Sequence, residues 1–119
     1  MPKQHTCQCH CGAVQFTIEL PNNKIEPLRC NCSLCTKKNA LMQPVPIIAL
    51  IITHGADNLA LYQWNKKIAK HYFCKTCGIY THHQRRSDPS LYGVNIACIN
   101  DIDLSAHTEF TQVDGASLK

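Results

Sequence analysis

Alternation of hydrophobic and polar residues is the dominant pattern along this chain, and it predicts strands. The clearest case is "AVQFTIEL", where Val14, Phe16, Ile18 and Leu20 alternate with polar neighbours as in a half-buried strand. Other segments with strand-like patterns are "IIALIIT" (47–53), "LALYQWN" (59–65), "KIAKHYFC" (67–74), "IYTHHQ" (79–84) and "SLYGVNIACI" (90–99). The run 47–53 is β-branched and apolar, so it is expected to be a buried strand.

Turns and short irregular segments separate these strands. "PNNK" and "HGADN" are typical turn sequences, and Gly93 is a candidate for a bulge within its strand. No segment sustains the 3.6-residue period of a long helix, and only Ser33 to Lys38 is expected to form one helical turn, capped by Ser33. We therefore predict a mainly β protein. The aromatic residues expected in its core are Tyr62, Trp64, Tyr72 and Phe73.

Length and composition narrow the class of protein. The 119 residues suit one domain, residues 1–119. Its core is small enough that a structural metal or a disulfide would add useful stability. The net charge of +4 tolerates an anionic substrate. A nucleic-acid partner is not expected, because the sequence has no concentrated basic stretch. The longest apolar run, 45–52, is far below the ~20 residues that span a bilayer, and no apolar signal segment is expected at the start. A cytoplasmic protein without membrane contact is expected.

Cysteines carry the strongest chemical signal. Of the nine, eight fall into three clusters: Cys7, Cys9 and Cys11; Cys30, Cys32 and Cys35; Cys74 and Cys77. In a reducing compartment such spacing favours metal ligands over disulfides. "FCKTCG" is typical of a zinc knuckle, which supplies two thiolates and needs a second pair. Cys9 and Cys11 are the natural candidates, although spacing alone does not exclude Cys7 with Cys9.

The run Cys30, Cys32 and Cys35 offers three ligands to a metal that prefers four. Water, a substrate thiol, a histidine, Cys7 or Cys98 are the candidates for the fourth. A closed set would make a second structural site. An exchangeable fourth position is the pattern of catalytic zinc.

Four segments, "CHCGAVQF", "CNCSLC", "FCKTCG" and "GVNIACINDID", resemble in order and spacing the glutathione-dependent formaldehyde-activating enzyme family, which includes centromere protein V. The resemblance implies the beta-tent, a small twisted β fold pinned by structural zinc. It also implies a structural zinc on Cys9, Cys11, Cys74 and Cys77, and a possibly labile catalytic zinc on the remaining cluster. The residues of that second site are Cys30, Cys32 and Cys35, whereas Cys7 lies outside the motif.

The family activity implied is that of a carbon–sulfur lyase. Such an enzyme acts on S-hydroxymethylglutathione or a related adduct of a thiol and an aldehyde. Glutathione carries two carboxylates, and the cations available near the motifs are Lys37, Lys38, Arg85 and Arg86. At most one of the adjacent His82 and His83 can line a site, because neighbours on a strand face opposite ways.

The remaining candidates are assigned to packing or to the surface. His71 is expected to be a packing or surface residue, His10 is not required as a ligand, and Cys98 is expected to be a small buried side chain. Two alternatives to the enzyme stay open, a zinc-stabilised binding module without turnover and a structural protein with an inert second zinc. The sequence does not indicate the oligomeric state.

Overall fold

The computed structural model describes residues 4–63, 69–86 and 88–118, and within them the chain is mainly β, as predicted. One short helix, α1, spans Ser33–Lys38. The strands are β1 (Gln4–Gln8), β2 (Gln15–Glu19), β3 (Leu28–Cys30), β4 (Met42–Pro46), β5 (Leu50–His54), β6 (Leu59–Tyr62), β7 (Lys70–Cys74), β8 (Tyr80–Gln84), β9 (Leu91–Asn95) and β10 (Thr111–Val113).

These strands form two sheets. The smaller has the order β1-β2-β5, and the larger has the order β10-β3-β4-β9-β8-β7-β6. All neighbours are antiparallel except β10 and β3, which run parallel. The parallel pair brings the C-terminal part of the chain beside Cys30, at the end of β3.

The core lies where one face of the small sheet packs on the large sheet. Val14, Phe16, Ile18 and Leu20 are all at most 3% exposed, as the alternation around β2 predicted. They share one cluster with residues of the large sheet such as Val45. Burial of these side chains is the main apolar contribution to stability, at about 1.5–3 kcal/mol each.

The prediction of a buried strand over residues 47–53 was wrong. A 3-10 turn occupies Ile47–Ala49, the strand begins only at Leu50, and Ile48 and Ile51 are 88% and 57% exposed. No described part of the chain covers the outward face of β5, since Ile51 and Thr53 are both exposed. A mostly apolar run therefore does not imply burial on both faces.

The bulge expected at Gly93 is not found there, and the hairpin of β7 and β8 contains a bulge instead. Tyr72 pairs with His82 and Phe73 with Tyr80, so Thr81 is the extra residue. An extra residue in one strand re-aims the side chains around it. As a result, Tyr80 and His83 lie close enough to hydrogen-bond to each other although they are three residues apart. Gly93 itself pairs regularly with His83.

Two smaller predictions also need correction. The helix α1 is capped by Cys32, whose sulfur accepts from the Cys35 amide at 3.4 Å, and not by Ser33. Tyr62 is 49% exposed and so is not a core residue. Tyr72 and Phe73 are half-buried, and Trp64 lies outside the described residues.

No helix among the described residues is long and apolar enough to cross a bilayer.

Candidate functional site

Two groups of thiols converge in the structure, and they are the groups that the sequence analysis singled out. The four-thiol cluster consists of Cys9, Cys11, Cys74 and Cys77, and the three-thiol cluster consists of Cys30, Cys32 and Cys35. Within each cluster all sulfur atoms lie within 4.8 Å of one another. All nine cysteines of the chain are free thiols.

The four-thiol cluster joins two parts of the chain that are distant in sequence. Cys9 and Cys11 follow β1, while Cys74 ends β7 and Cys77 lies in the turn that follows. The sulfur of Cys11 lies 3.7 Å from that of Cys9 and 3.7 Å from that of Cys74. These four sulfurs are close enough to share one tetrahedral ion, so the donor set fits zinc.

Amide donors surround the sulfurs of this cluster. The Val14 amide donates to Cys9 Sγ at 3.4 Å, and the Thr76 amide donates to Cys74 Sγ at 3.3 Å. The side-chain amide of Asn58 donates to the same Cys74 sulfur at 3.4 Å. Such hydrogen bonds stabilise thiolate charge and orient metal ligands. Asn58 was missed in the sequence because its turn lies 16 residues before Cys74.

The three-thiol cluster comes from one continuous stretch, where β3 ends and α1 begins. The Cys32 amide donates to Cys30 Sγ at 3.5 Å, which curls the chain around the sulfurs. A hydrogen bond from Cys35 lowers the pKa of Cys30 to about 5, and the same hydrogen bond, with burial, raises the pKa of Cys35. One sulfur of the group thus carries negative charge readily, as a metal ligand must.

No fourth histidine, cysteine or acidic ligand joins this group in the described part of the chain. Cys98 is buried beside the four-thiol cluster, where its sulfur lies 3.5 Å from the Tyr80 carbonyl, and Cys7 is equally buried. Burial raises the pKa of both thiols to about 12. Among the described residues the three-thiol cluster therefore remains one ligand short of a closed tetrahedral set.

The three thiols open into a cavity of about 690 Å³, measured with its solvent-filled mouth. Its wall also contains His71, His83, Arg85 and Arg86. Arg85 and Arg86 are two of the cations that the sequence analysis named as partners for a carboxylate, and the structure brings both to the cavity. This is the place in the described chain where thiols, imidazoles and guanidinium groups share one wall.

The other predicted cations and histidines are placed differently. Lys38 is half-buried and lies 2.7 Å from His71, whereas Lys37 is exposed. Burial lowers the pKa of Lys38 to about 8, against the opposing effect of the nearby thiols. His82 stacks on Tyr72 with ring centroids 4.8 Å apart and does not reach the cavity wall. His10 is exposed and belongs to neither thiol cluster.

His71 was expected to be a packing or surface residue, yet it is buried in the cavity wall. His71 on β7 pairs directly with His83 on β8, and this register places both rings at the cavity. The bulge at Thr81, which could not be read from the sequence, sets which of the two adjacent histidines faces the cavity.

The C-terminal segment, defined as residues 111–117, closes one side of the three-thiol cluster. Asn31 holds it, because its side chain donates to Asp114 at 3.1 Å and accepts from the Ala116 amide at 2.9 Å. A side chain at buried Gly115 would overlap the sulfur of Cys30. This residue was not identified from the sequence, since the contact arises from the parallel pairing of β10 with β3.

The comparisons with known proteins agree with the thiol geometry. The model of the family "Glutathione-dependent formaldehyde-activating enzyme" matches residues 4–113. That range includes both thiol clusters and the hairpin of β7 and β8. The chain belongs to this family.

A solved structure supports the same conclusion about the fold. The chain is similar to a Rhodobacter sphaeroides protein whose crystal structure was determined in the Northeast Structural Genomics programme. The two are 44% identical, the match covers 91% of this chain and 99% of that chain, and the TM-score is 0.86. The family suggests an activity on glutathione and formaldehyde.

Proposed function

We propose that this protein is a zinc-dependent carbon–sulfur lyase-type enzyme. Its substrate would be S-hydroxymethylglutathione or a related thiol–aldehyde adduct, formed and cleaved reversibly. The observation that carries the proposal is the three-thiol cluster, which lacks a fourth protein ligand among the described residues and opens into a cavity. Family membership supports the choice of glutathione and formaldehyde as substrates.

The two clusters are assigned different tasks in this proposal. Cys9, Cys11, Cys74 and Cys77 would hold a structural zinc, since their sulfurs form a complete set joined across the fold. Cys30, Cys32 and Cys35 would hold the second zinc, which when bound supplies an exchangeable position that lowers the pKa of a substrate thiol. The chain's own contribution is to place the cavity and its cations around that position.

Charge in the cavity fits a tripeptide with carboxylates. Arg85 and Arg86 lie on the wall that also carries the thiols, and a guanidinium can bind a carboxylate through two parallel hydrogen bonds. Lys38 adds a third positive charge behind His71. We infer that these cations bind the anionic ends of the substrate and leave its sulfur at the three-thiol cluster.

The proposal treats residues 1–119 as one domain working in the cytoplasm. Nine free thiols suit a reducing compartment, because closely spaced cysteines would oxidise elsewhere. The physical demand on such an enzyme is modest, since thiols add to formaldehyde without a catalyst. The reaction must therefore always be measured against the buffer background.

Metal counting combined with product formation tests the proposal. The wild-type chain is expected to bind two zinc ions, and Cys32→Ser is expected to lose one. NMR exchange between formaldehyde and S-hydroxymethylglutathione should be faster with the wild type than in buffer, and equal to buffer with the variant. A wild-type rate equal to buffer would overturn the enzyme and favour the binding module.

A further inference from the structure

Two histidines form a stacked pair in the cavity wall. His71 on β7 and His83 on β8 are direct cross-strand neighbours, with ring centroids 4.9 Å apart and planes inclined by 15°. They are 5% and 7% exposed, and both line the cavity of the three-thiol cluster. What the pair can do in this cavity depends on which nitrogen of each ring carries the proton.

The proton of His71 is fixed by Lys38. The lysine Nζ lies 2.7 Å from His71 Nδ1, and an ammonium group can only donate. Nδ1 is therefore the acceptor. Burial, together with the charge of Lys38, lowers the pKa of His71 to about 4, so the ring is neutral at pH 7. A neutral ring that accepts at Nδ1 carries its proton on Nε2.

The proton of His83 is fixed on the opposite nitrogen. The Tyr80 hydroxyl donates to the Gly93 carbonyl at 3.0 Å, because a carbonyl can only accept. A hydroxyl has one proton, so its 2.6 Å contact with His83 Nδ1 has the imidazole as donor. Burial holds the pKa of His83 well below its usual range. The ring is thus neutral with its proton on Nδ1, and Nε2 carries a lone pair.

The pair therefore has opposite tautomers. His71 has an Nε2–H donor, and His83 has an Nε2 acceptor. Within residues 4–63, 69–86 and 88–118 neither Nε2 has a protein hydrogen-bond partner, and neither is a fully buried atom without one. One donor and one acceptor are thus left for a ligand in the cavity.

We propose that His83 Nε2 moves the proton of the substrate thiol while His71 Nε2–H binds the aldehyde oxygen. The inference rests on the function proposed above. The S–H bond breaks and its proton goes to His83, the sulfur lone pair forms the C–S bond, and the C=O π pair moves to oxygen. His83 then returns the proton to that oxygen, which gives the hydroxymethyl thioether. Atoms and charge balance without a co-reactant.

Three other residues position the pair. Tyr80 and Lys38 set the tautomers, as described above. Gly93 leaves room for the His83 ring, since a side-chain carbon there would lie 2.5 Å from His83 Cε1. The bulge that brings the tyrosine hydroxyl to His83 thus serves the site. Without the hydroxyl, His83 would be free to carry its proton on either nitrogen.

Nitrogen-15 NMR of the imidazoles in the zinc-loaded chain tests the proton positions directly. His71→Gln and His83→Gln assign the signals. We expect His71 to be the Nε2–H tautomer and His83 the Nδ1–H tautomer, and Tyr80→Phe to shift His83 towards a mixture. An Nδ1–H signal for His71, or an Nε2–H signal for His83, would overturn the inference and leave the proposed function untouched.

Kinetics test the role of the base. His83→Gln should lower the catalysed exchange rate by about a hundredfold, the usual range for a lost acid–base group. The matched control is His82→Gln, an adjacent buried histidine outside the cavity wall, which should stay within about threefold of wild type. Zinc content is measured for each variant, so that a lost metal is not mistaken for a lost base.

Two outcomes separate the inference from the proposed function. A wild-type rate above buffer that His83→Gln retains, at full zinc content, would contradict the inference alone. A wild-type rate equal to buffer would contradict the proposed function, while the tautomers would still be decided by NMR. If His83→Gln does not fold, Tyr80→Phe takes its place, and a full rate despite a shifted tautomer would count against the inference.

Discussion

The two thiol clusters use the same side chain in opposite ways. The four-thiol cluster joins ligands that are distant in sequence, such as Cys11 and Cys74, which are 63 positions apart, and it ties the first hairpin to the central one. The three-thiol cluster is a single local stretch whose sulfurs face a cavity. In the proposed function, the ligand set assembled across the fold stabilises it, and the local set beside the cavity binds the substrate.

The largest effect that would break this comparison is expected from Cys74→Ser. Structural zinc binding contributes about 10–16 kcal/mol in small zinc domains, which is comparable with the whole stability of a domain. The variant should lose cooperative unfolding and NMR dispersion. Cys32→Ser should keep both, with a decrease of about 1–3 kcal/mol in the free energy of unfolding.

Urea unfolding of both variants, with zinc counted by mass spectrometry, measures this contrast. Cys98→Ser is the control for replacing a buried thiol outside both clusters. Equal stability losses in Cys74→Ser and Cys32→Ser would contradict the division of labour between the clusters.

Two glycines sharpen the comparison at a smaller scale. Gly115→Ala would overlap the Cys30 sulfur, so we expect zinc affinity at the three-thiol cluster to fall about tenfold or more. Gly78→Ala meets open space, but its φ of 77° makes a side chain strained by about 1 kcal/mol. Competition with a chelating dye measures the zinc affinity of both glycine variants. An unchanged affinity in Gly115→Ala would show that the C-terminal segment does not support the cluster.

The sequence predicted the β class from alternation, and it predicted the thiol sets from cysteine spacing together with the family resemblance, which selected Cys9 and Cys11 over Cys7 and Cys9. Cys74 and Cys77 have two residues between them and lie around a turn that ends at Gly78, so chain geometry alone brings them together. The place of His71 and the contact at Gly115 could not be predicted in the same way. They depend on strand register, on the bulge at Thr81 and on a parallel pair of strands distant in sequence.

The main error in the fold concerns residues 47–53. They were expected to be buried because they are β-branched and apolar, but Ile48 lies in an exposed turn and Ile51 lies on an uncovered face of β5. Hydrophobicity along a single strand does not show whether another layer covers it. The packing of the whole chain decides that.

A pH dependence of stability is also expected from the buried histidines. Burial lowers the pKa of His71 and His82 to about 4, from an ordinary value of 6.5. Between these values the unfolded chain binds more protons than the folded one. Stability is therefore complete above about pH 6.5 and falls as the pH decreases towards 4, by up to ~1.4 kcal/mol per pH unit for each histidine.

Urea midpoints between pH 7 and pH 4.5, with zinc in excess, measure that slope. His82→Gln should show a shallower decrease than wild type, and because both chains keep the same thiols, the difference isolates one histidine. Identical slopes would show that His82 is not held neutral by the fold.

Cadmium-113 NMR of the cadmium-loaded chain tests the central claim, that one cluster is closed and the other accepts a substrate thiol. The account predicts two cadmium signals. Glutathione should shift only one of them, and that one should be absent from Cys32→Ser. A single signal, or two signals that glutathione leaves unmoved, would contradict the account.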